Sequence, residues 1–458
     1  MIRDRSLDAL LTGTGASLVD DHRRTEEPGL GVAVARLAGG LRDRGVRAGD
    51  VVTWQSPNRV EVAIAFRACW RIGAVAAPLH HLLGAAEVAG LRDRLAPTTV
   101  LDLDRLPDGD PITDLWTDAA VRGAVLFTSG SSGAPKGVVH TQATLAYKAA
   151  SMGPVHGLGS DDVILMPAPC AHISGLLNGI TLPGAIGCRT VFMARWDAEH
   201  ALDLIEREGV TFMVGPPAFF VGLMDAPGFS PERVASLRVV SSGGSGVAPA
   251  FVERASRVLG ARVKRTYGST EAPTVATAPV DDDGAHDATH DGRAIGEVEL
   301  RVDPVTGELL VRGPEVCVGY LDDAHDVAFD AGGWFHTGDR ATIDAEGWLS
   351  IIGRLKDVII RGGENIAAAE VESALEAHPD VVAAAVVGYP DERLGERVCA
   401  FVLAPHTFDV AACAAWFETH GIARFKTPER VVVLDSLPLL ASGKPDKEHL
   451  RALAAERR

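Results

Sequence analysis

The run Thr128–Gly137 combines the residue types that hold a polyphosphate. It reads Thr-Ser-Gly-Ser-Ser-Gly-Ala-Pro-Lys-Gly and follows the apolar residues Ala124–Phe127. Three glycines let the backbone turn tightly and present N–H groups, four hydroxyls add donors, and Lys136 adds positive charge. It is not a Walker A motif, because Lys136 is followed by Gly137 rather than by serine or threonine. A flexible Gly/Ser linker is the alternative, and the preceding strand-like run and the Pro-Lys-Gly ending disfavour it.

Four further segments carry side chains suited to a bound nucleotide. They are Ser241–Gly246, Tyr267–Glu271, Trp334–Asp339 and Ser442–Lys444. The glycines of the first segment allow a flat ligand to approach the backbone closely. Glu271 is an oxygen ligand of the kind that Mg²⁺ takes together with phosphates, and Asp339 can accept two hydrogen bonds from ribose hydroxyls. Taken singly, each segment is equally compatible with an ordinary turn or a solvated loop.

Alternating strand and helix patterns must position these segments up to Arg354. Short β-branched runs predict strands at Val51–Trp54, Ala124–Thr128, Val163–Met166, Thr190–Met193, Thr211–Val214 and Leu237–Ser241. Ala-rich stretches predict helices at Val32–Arg44, Val60–Ile72, Ala198–Glu208 and Pro249–Leu259. This alternation is typical of an α/β architecture with largely parallel sheets. Residues 281–293 are polar and predict an exposed loop, in which metal binding by His286 and His290 is the weaker alternative.

After Lys356 the pattern changes to that of a compact α+β unit. Helices are predicted at Ala367–His378 and Val410–His420, and strands at Val381–Val387, Val398–Leu403 and Val431–Leu434. The 458 residues also exceed the length of an ordinary single domain. We therefore expect two domains, residues 1–355 and 356–458.

In this order, the motifs resemble those of the acyl-adenylate-forming superfamily, which includes acyl-CoA synthetases, adenylation domains of peptide synthetases and firefly luciferase. The resemblance covers nearly the whole chain and extends to Gly353–Asp357 and Arg361–Asn365. It implies a large N-terminal domain with mixed and parallel sheets packed by helices, followed by a small mobile C-terminal domain. The implied hinge residue is Lys356, about which the small domain would rotate between two half-reactions.

The resemblance also implies a role for individual residues. Contacts to the nucleotide fall to Thr128, Ser129, Gly130, Ser131, Ser132, Gly133, Lys136, Gly243, Gly244, Ser245, Tyr267, Gly268, Asp339 and Arg354. Catalytic roles fall to Thr270, Glu271, His172 and Lys444, and Mg²⁺ would be held by Glu271 and Thr128. The loop with Gly362 and Gly363 would line a tunnel for coenzyme A, although Ala367 and Ala368 follow it where the family commonly has aromatic and proline residues.

The implied chemistry is the attack of a carboxylate on the α-phosphorus of ATP. A carboxylate with a reference pKa of about 4 is already ionised at neutral pH, so no general base is required. The barrier comes from repulsion between anions, and catalysis is mostly positioning and electrostatic stabilisation. Lys444 would bridge the acid and the α-phosphate. The products would be acyl-AMP and pyrophosphate, and a thiol, expected to be that of coenzyme A, would then displace AMP.

The segment Pro169–Gly175 matches the acyl-pocket segment of the family, with Ala171 where an aromatic residue is common. His172 would gate or line this pocket, and a buried, hydrogen-bonded histidine is the alternative. Further lining candidates are Leu176, Leu177, Phe219 and Phe220. Because no Arg or Lys falls among them, a second substrate carboxylate would find no partner. We therefore expect a medium-chain, alicyclic or aromatic monocarboxylic acid.

Composition excludes some functions and leaves others open. The formal net charge of −17 disfavours a nucleic-acid partner. Six scattered cysteines without a CxxC pair predict reduced, mostly buried thiols and a cytoplasmic protein, and no apolar run is long enough to cross a membrane. The acceptor could also be a carrier protein or an amine, and the substrate could be an unusual oxyacid. A homodimer is compatible with the sequence. A nucleotide-binding protein without catalysis is disfavoured by Lys136, Glu271 and Lys444.

Overall fold

The computed structural model describes residues 5–128, 135–322, 328–361, 364–391, 393–440 and 444–456. The chain divides into two compact units. The first comprises Met1–Val247, Phe251–Leu300 and Val311–Phe335, and the second comprises Ala248–Ala250, Arg301–Leu310 and His336–Arg458. The predicted domain boundary at Lys356 lies inside the second unit. It stays a prediction, because compactness does not identify the residue about which a domain rotates.

The helices begin and end at residues that the local sequence explains. In chain order they are α1 (Leu7–Leu11), α2 (Gly29–Asp43), α3 (Val60–Arg71), α4 (Ala85–Leu95), α5 (Gln142–His156), α6 (Ile173–Leu176), α7 (Leu182–Ile186), α8 (Ala198–Glu208), α9 (Pro217–Met224), α10 (Pro249–Leu259), α11 (Ala368–Glu376), α12 (Val410–Thr419) and α13 (Lys447–Glu456). The side chain of Asp197 caps α8 by accepting from the His200 N–H. The same helix ends at Gly209, whose φ of 67° is the left-handed conformation that glycine adopts without strain.

The strands are short. In chain order they are β1 (Ser17–Val19), β2 (Arg24–Glu26), β3 (Val51–Gln55), β4 (Val75–Leu79), β5 (Thr99–Val100), β6 (Arg122–Thr128), β7 (Lys136–Thr141), β8 (Val163–Met166), β9 (Arg189–Phe192), β10 (Phe212–Gly215), β11 (Val239–Gly243), β12 (Arg262–Tyr267), β13 (Ala276–Thr277), β14 (Arg293–Ala294), β15 (Glu299–Val302), β16 (Glu308–Arg312), β17 (Gly319–Tyr320), β18 (Phe335–Ile343), β19 (Leu349–Arg354), β20 (Val358–Arg361), β21 (Glu364–Ala367), β22 (Ala383–Asp391), β23 (Gly395–Leu403) and β24 (Arg430–Val433).

Two sheets form the frame of the first unit. Among the described residues, one has nine strands in the order β14-β13-β12-β11-β10-β8-β9-β1-β2, and the other has six in the order β17-β7-β6-β4-β3-β5. The neighbours from β12 to β9 pair in parallel, so their carboxyl ends share one edge of the sheet. In the other sheet β3, β4, β5 and β6 are parallel, while β7 and β17 are antiparallel additions.

The second unit has its own sheet and core. Its five-stranded sheet has the order β21-β20-β23-β22, with β24 added alongside β23. A core that includes Val371, Leu375, Val386 and Phe417 packs α11 and α12 against this sheet. The four-stranded sheet β15-β16-β18-β19 belongs mainly to this unit as well. The predicted mixed α/β fold with a C-terminal domain is thus confirmed.

The segment 101–121 crosses helix α2 in close contact. A Cβ on Gly39 would lie 2.0 Å from the carbonyl oxygen of Asp110, and one on Gly40 would lie 2.7 Å from the carbonyl carbon of Pro107. The guanidinium of Arg36 pairs with Asp108 at the same crossing. Two adjacent glycines are therefore required for this backbone to approach the helix.

We expect Gly39→Ala to lower the stability of the protein by about 1–3 kcal/mol, because the added methyl group meets backbone that cannot move independently. The measurement is urea unfolding followed by tryptophan fluorescence. The matched control is Gly90→Ala in α4, where an added Cβ has nothing within 4 Å. That variant should gain about 0.5–1 kcal/mol from helix propensity. Equal effects of both substitutions would contradict the close crossing.

Candidate active site

The carboxyl edge of the nine-stranded sheet carries most of the predicted site residues of the first unit. His172 follows β8, Phe219 follows β10, Gly243 ends β11 and Tyr267 ends β12. Because these strands run in parallel, the segments after them lie side by side. This edge is where open α/β sheets bind ligands.

The predicted phosphate loop is the connection of an antiparallel hairpin. Thr128 ends β6, Lys136 begins β7, and the two residues are direct partners in the ladder. The pairing holds the two flanks of the loop together, with the hydroxyl of Thr128 and the ammonium of Lys136 at its base. Ser129, Gly130, Ser131, Ser132 and Gly133 lie outside the described residues.

Arg94 fastens one flank of this loop, and sequence analysis did not identify it. Its Nη1 donates to the carbonyl of Pro135 at 2.7 Å, and its guanidinium lies 5.5 Å from the centre of the Phe127 ring. It also forms an ion pair with Asp322. One side chain of helix α4 therefore joins β6, the residue before β7 and the segment after β17.

Lys136 and Glu271 are joined through Tyr320. The Tyr320 hydroxyl donates to Oε1 of Glu271 at 3.0 Å, and Nζ of Lys136 lies 5.5 Å from the centre of the Tyr320 ring. The backbone reinforces the link, because the Cys317 N–H donates to the Glu271 carbonyl at 2.7 Å. Sequence analysis missed Tyr320. The available signal was a tyrosine directly after a glycine, which is too common to identify a site.

A buried histidine fixes the neighbouring Thr270. Nε2 of His140 lies 2.7 Å from the Thr270 carbonyl oxygen, and its Nδ1 lies 3.2 Å from Oγ1 of Thr144. Burial lowers the pKa of His140 to about 4, so the ring is neutral at pH 7. Since a carbonyl only accepts, the Nε2 facing it carries the proton. His140, on β7, therefore ties the phosphate-loop strand to the segment 267–271.

Close packing requires glycine at Gly243 and Gly268, which lie at the carboxyl edge of the nine-stranded sheet. A Cβ on Gly268 would lie 2.2 Å from the Thr274 nitrogen, and one on Gly243 would lie 2.4 Å from the Thr266 carbonyl oxygen. Gly244 has φ of 80° and, like Ser245, is exposed. The turn that follows Tyr267 is thus tight, and the loop after β11 presents open backbone at the same edge.

The predicted acyl-pocket residues fall into two groups, one in the hydrophobic core and one near the carboxyl edge of the nine-stranded sheet. Leu176, Leu177 and Phe220 are fully buried in the hydrophobic core, and their role as pocket lining stays a prediction. Leu176 ends α6, Leu177 follows it, and Phe220 lies on α9, so all three come after the interior strands β8 and β10. Phe219 is half-buried and stacks on Trp196, with 4.4 Å between ring centres. His172 precedes α6, and its ring lies 5.0 Å from that of His80.

The first-unit residues fit the groups that the motifs imply. Glu271 offers a carboxylate and Thr128 a hydroxyl, and oxygen donors of this kind suit Mg²⁺, which would keep its remaining positions for water and phosphate. Lys136, held against Tyr320, places one positive charge beside that carboxylate. Glu271 and Thr128 would hold the cation, which would offset the charge of the polyphosphate.

The second unit brings its predicted residues together. Asp339 and Arg354 are partners in the β18–β19 ladder, and Nε of Arg354 lies 3.0 Å from Oδ1 of Asp339. Desolvation lowers the pKa of Lys444, the positive charge of Arg354 adds to this shift, and Asp339 opposes it. Desolvation and Arg354 lower the pKa of Lys356 in the same way. Gly362 and Gly363 lie outside the described residues, and the roles of all these residues stay predictions.

Lys447 pairs with two carboxylates of the second unit. Its Nζ lies 2.7 Å from Oε1 of Glu372 on α11 and 3.9 Å from Oδ2 of Asp357. Arg451 of the same helix pairs with Asp357 at 2.6 Å. Two cations of α13 therefore converge on the turn that follows Lys356.

The segment 281–293 is irregular but less exposed than predicted. Arg262 and Arg265 of β12 form ion pairs with Asp287 and Asp291, both of which are buried. Its aspartates therefore brace the strand that ends in Tyr267. No group of three or more His, Cys, Asp or Glu side chains placed to hold a metal ion occurs among the described residues. Within the described chain, no helix combines the length and hydropathy needed to span a membrane.

Comparison with known proteins identifies the family. The model described as AMP-binding enzyme matches residues 28–119 and 117–321, and that of the AMP-binding enzyme C-terminal domain matches residues 370–444. The chain is 33% identical to the medium-chain fatty-acid–CoA ligase of Escherichia coli, over 95% of this chain and 87% of that protein. It is 34% identical to the indoleacetate–CoA ligase of Aromatoleum aromaticum, over 93% of this chain and 92% of that protein.

A solved structure agrees over the full length. The ATP-bound MatB of Rhodopseudomonas palustris superposes with a TM-score of 0.89 at 27% identity, covering 99% of both chains. The predicted family, the ligase activity and the use of ATP, Mg²⁺ and coenzyme A are confirmed by these matches. The chain belongs to the AMP-binding enzyme family, as an AMP-forming acid–thiol ligase.

Proposed function

We propose that this enzyme converts a medium-chain, alicyclic or aromatic monocarboxylic acid into its coenzyme A thioester through an acyl-AMP. The observation that carries the proposal is the Lys136–Tyr320–Glu271 link, which sets a cation and a carboxylate beside the base of the phosphate loop. The relatives' named substrates, a medium-chain fatty acid and indoleacetate, belong to the proposed classes. The proposed setting is the cytoplasm, and a homodimer is a compatible assembly.

In the first half-reaction the protein positions two anions and lowers their repulsion. Tyr267 would stack on the adenine, Asp339 and Arg354 would contact the ribose, and Lys136 and Thr128 would meet the phosphates. Lys444 would offset charge on the acid and the α-phosphate. The lowered pKa of Lys444 lies closer to neutral pH than that of an ordinary lysine. The fraction of Lys444 that is protonated therefore depends more strongly on pH near neutrality.

An acid panel tests the proposal. Purified enzyme with ATP and Mg²⁺ should release pyrophosphate only when an accepted acid is present, and a thioester should appear by mass spectrometry once coenzyme A is added. The panel should span straight-chain, alicyclic and aromatic monocarboxylic acids. A thioester with a carrier protein but none with coenzyme A would favour the alternative acceptor. Absence of pyrophosphate release with every acid would refute the proposed function.

Lys444→Ala should abolish adenylation and spare thioester formation from supplied acyl-AMP. The reason is that positive charge is needed at the α-phosphate in the first step alone. The two half-reactions are measured separately, by pyrophosphate release and by thioester yield. The control is Lys426→Ala, which removes a lysine of the same unit that pairs with Glu370, and it should retain both steps. Equal loss of both steps in Lys444→Ala would contradict the assignment.

Tyr320→Phe should lower kcat/KM for ATP by about 10- to 100-fold, as expected when a hydrogen bond to a charged group of about 1.5–3 kcal/mol is lost. The ring that faces Lys136 is kept, so stability should change little. The control is Tyr389→Phe in the second unit, whose ring lies under Arg430. Steady-state kinetics with varied ATP and Mg²⁺, together with the thermal midpoint, provide the measurement. Unchanged kinetics would show that Glu271 does not need this hydroxyl.

A further inference from the structure

Three imidazoles are gathered in the first unit, and the proposed chemistry uses only one of them. The rings of His80 and His81 stack, with 4.7 Å between centres and an interplanar angle of 18°. The ring of His80 also meets that of His172 at 5.0 Å. His80 and His81 follow β4, whereas His172 follows β8, so the cluster joins the carboxyl ends of strands from both sheets. We call these three residues the imidazole cluster.

The position of the imidazole cluster along the sheet edge sets what it can reach. Tyr267 ends β12, and three strand spacings separate β12 from β8 in the nine-stranded sheet. At about 4.8 Å for each spacing, the end of β8 lies about 14 Å along the edge from that of β12. An acid that extends along this edge from a nucleotide on the β12 side would bring its far end to the imidazole cluster.

The side chains of the cluster are held in place. Nε2 of Gln55 donates to the carbonyls of His80 and Leu83, which fixes the turn after β4. The side-chain amide of Asn58 donates from Nδ2 to the carbonyl of Ala168, and its Oδ1 accepts from the N–H of Cys170. Both segments that carry the imidazoles are therefore anchored by buried or half-buried amides rather than by the rings themselves.

The hydrogen-bonding state of the two added imidazoles is defined by their surroundings. Nδ1 of His80 accepts from the Leu82 N–H at 3.1 Å, so a neutral ring carries its proton on Nε2, as a donor. Nδ1 of His81 is buried and has no hydrogen-bond partner among the described residues. Burial lowers the pKa of His80 to about 4, and burial together with the charge of Arg195 lowers the pKa of His81. Both rings are thus neutral at pH 7.

The imidazole cluster would form the polar end of an otherwise apolar acyl site. Half-buried Phe219, stacked on Trp196, supplies apolar surface on the neighbouring segments. Nδ1 of His81 is enclosed, and its missing hydrogen bond has a cost, whereas Nε2 of His80 is left as a donor for a ligand oxygen. A second carboxylate suits the cluster less well, because both rings are neutral and the nearby cation, Arg195, is exposed and therefore screened.

We propose that the imidazole cluster selects an acid that carries a neutral oxygen function, a ketone or a hydroxyl, at the end remote from its carboxylate. The inference rests on the proposed function and refines its substrate class from hydrocarbon acids to oxygenated ones. His80 and His81 act as specificity-determining residues that hydrogen-bond this oxygen. They take no part in the transfer of the adenylyl or acyl group.

Matched pairs of acids test the inference. Hexanoic and octanoic acids are each compared with the methyl-ketone analogue and the dicarboxylic acid of similar length, and cyclohexanecarboxylic acid with its ring ketone. The readout is kcat/KM from pyrophosphate release at pH 7. At least one ketone should exceed its hydrocarbon partner by tenfold or more. Equal values throughout, or preference for the dicarboxylic acids, would overturn the inference and leave the proposed function standing.

Variants separate recognition from a structural role. His80→Phe and His81→Phe keep an aromatic ring in the stack and remove the polar atoms. Each should bring the ketone-to-hydrocarbon ratio of kcat/KM toward one while activity with the hydrocarbon acid is retained. A parallel fall for both acids, with the ratio unchanged, would mean that the rings only support the fold and would overturn the inference. The control is His378→Phe, within the aromatic contacts of the second unit, and it should leave the ratio as in the wild type.

Discussion

The hydrogen bond from Tyr320 to Glu271 is the contact on which the catalytic part of the first unit depends. Residues 128–137 and 267–271 belong to different sheets, and the chain between them contains several strands and helices. Tyr320 contacts both segments, because its strand pairs with β7 while its hydroxyl reaches the carboxylate. A cation and a carboxylate that are far apart in sequence are therefore linked through one side chain.

Charge placement explains how an acidic protein handles an anionic substrate. The net charge of −17 disfavours phosphate binding in general, but the relevant charges are local. Arg94 is engaged by Asp322 and Pro135, and Arg262 and Arg265 are engaged by aspartates, so these cations brace the backbone of the site. Lys136 faces an aromatic ring instead, an arrangement that leaves its charge available to a phosphate.

The sequence predicted the parts of this structure that depend on local chemistry. Periodicity placed the strand Val163–Met166 and the helix Ala198–Glu208 at their observed bounds, because both have strong local patterns and the helix has clear end signals. Three of the four apolar residues proposed to line the pocket lie in the hydrophobic core, which the sequence did not predict, since it gives hydrophobicity but not the degree of burial. Tyr320, His140 and Arg94 were missed because their hydrogen bonds to Glu271, Thr270 and Pro135 span 49, 130 and 41 residues of the chain. Such contacts arise only from the topology of the sheets.

The second unit holds the backbone of Lys444, the lysine proposed to act in adenylation, through contacts on both sides of it. The Leu440 N–H donates to the Lys444 carbonyl, and the Asp446 N–H donates to that of Pro438, each at 2.8 Å, so the segment is closed on itself. Three residues later, Lys447 is fixed to Glu372 of α11. Because α11 and α13 pack on the same five-stranded sheet, the helix that begins three residues after Lys444 is fixed to the core of this unit. If the small domain rotates about Lys356, Lys444 would move with it. Rotation about a single hinge would then bring the charge of Lys444 to the α-phosphate or take it away.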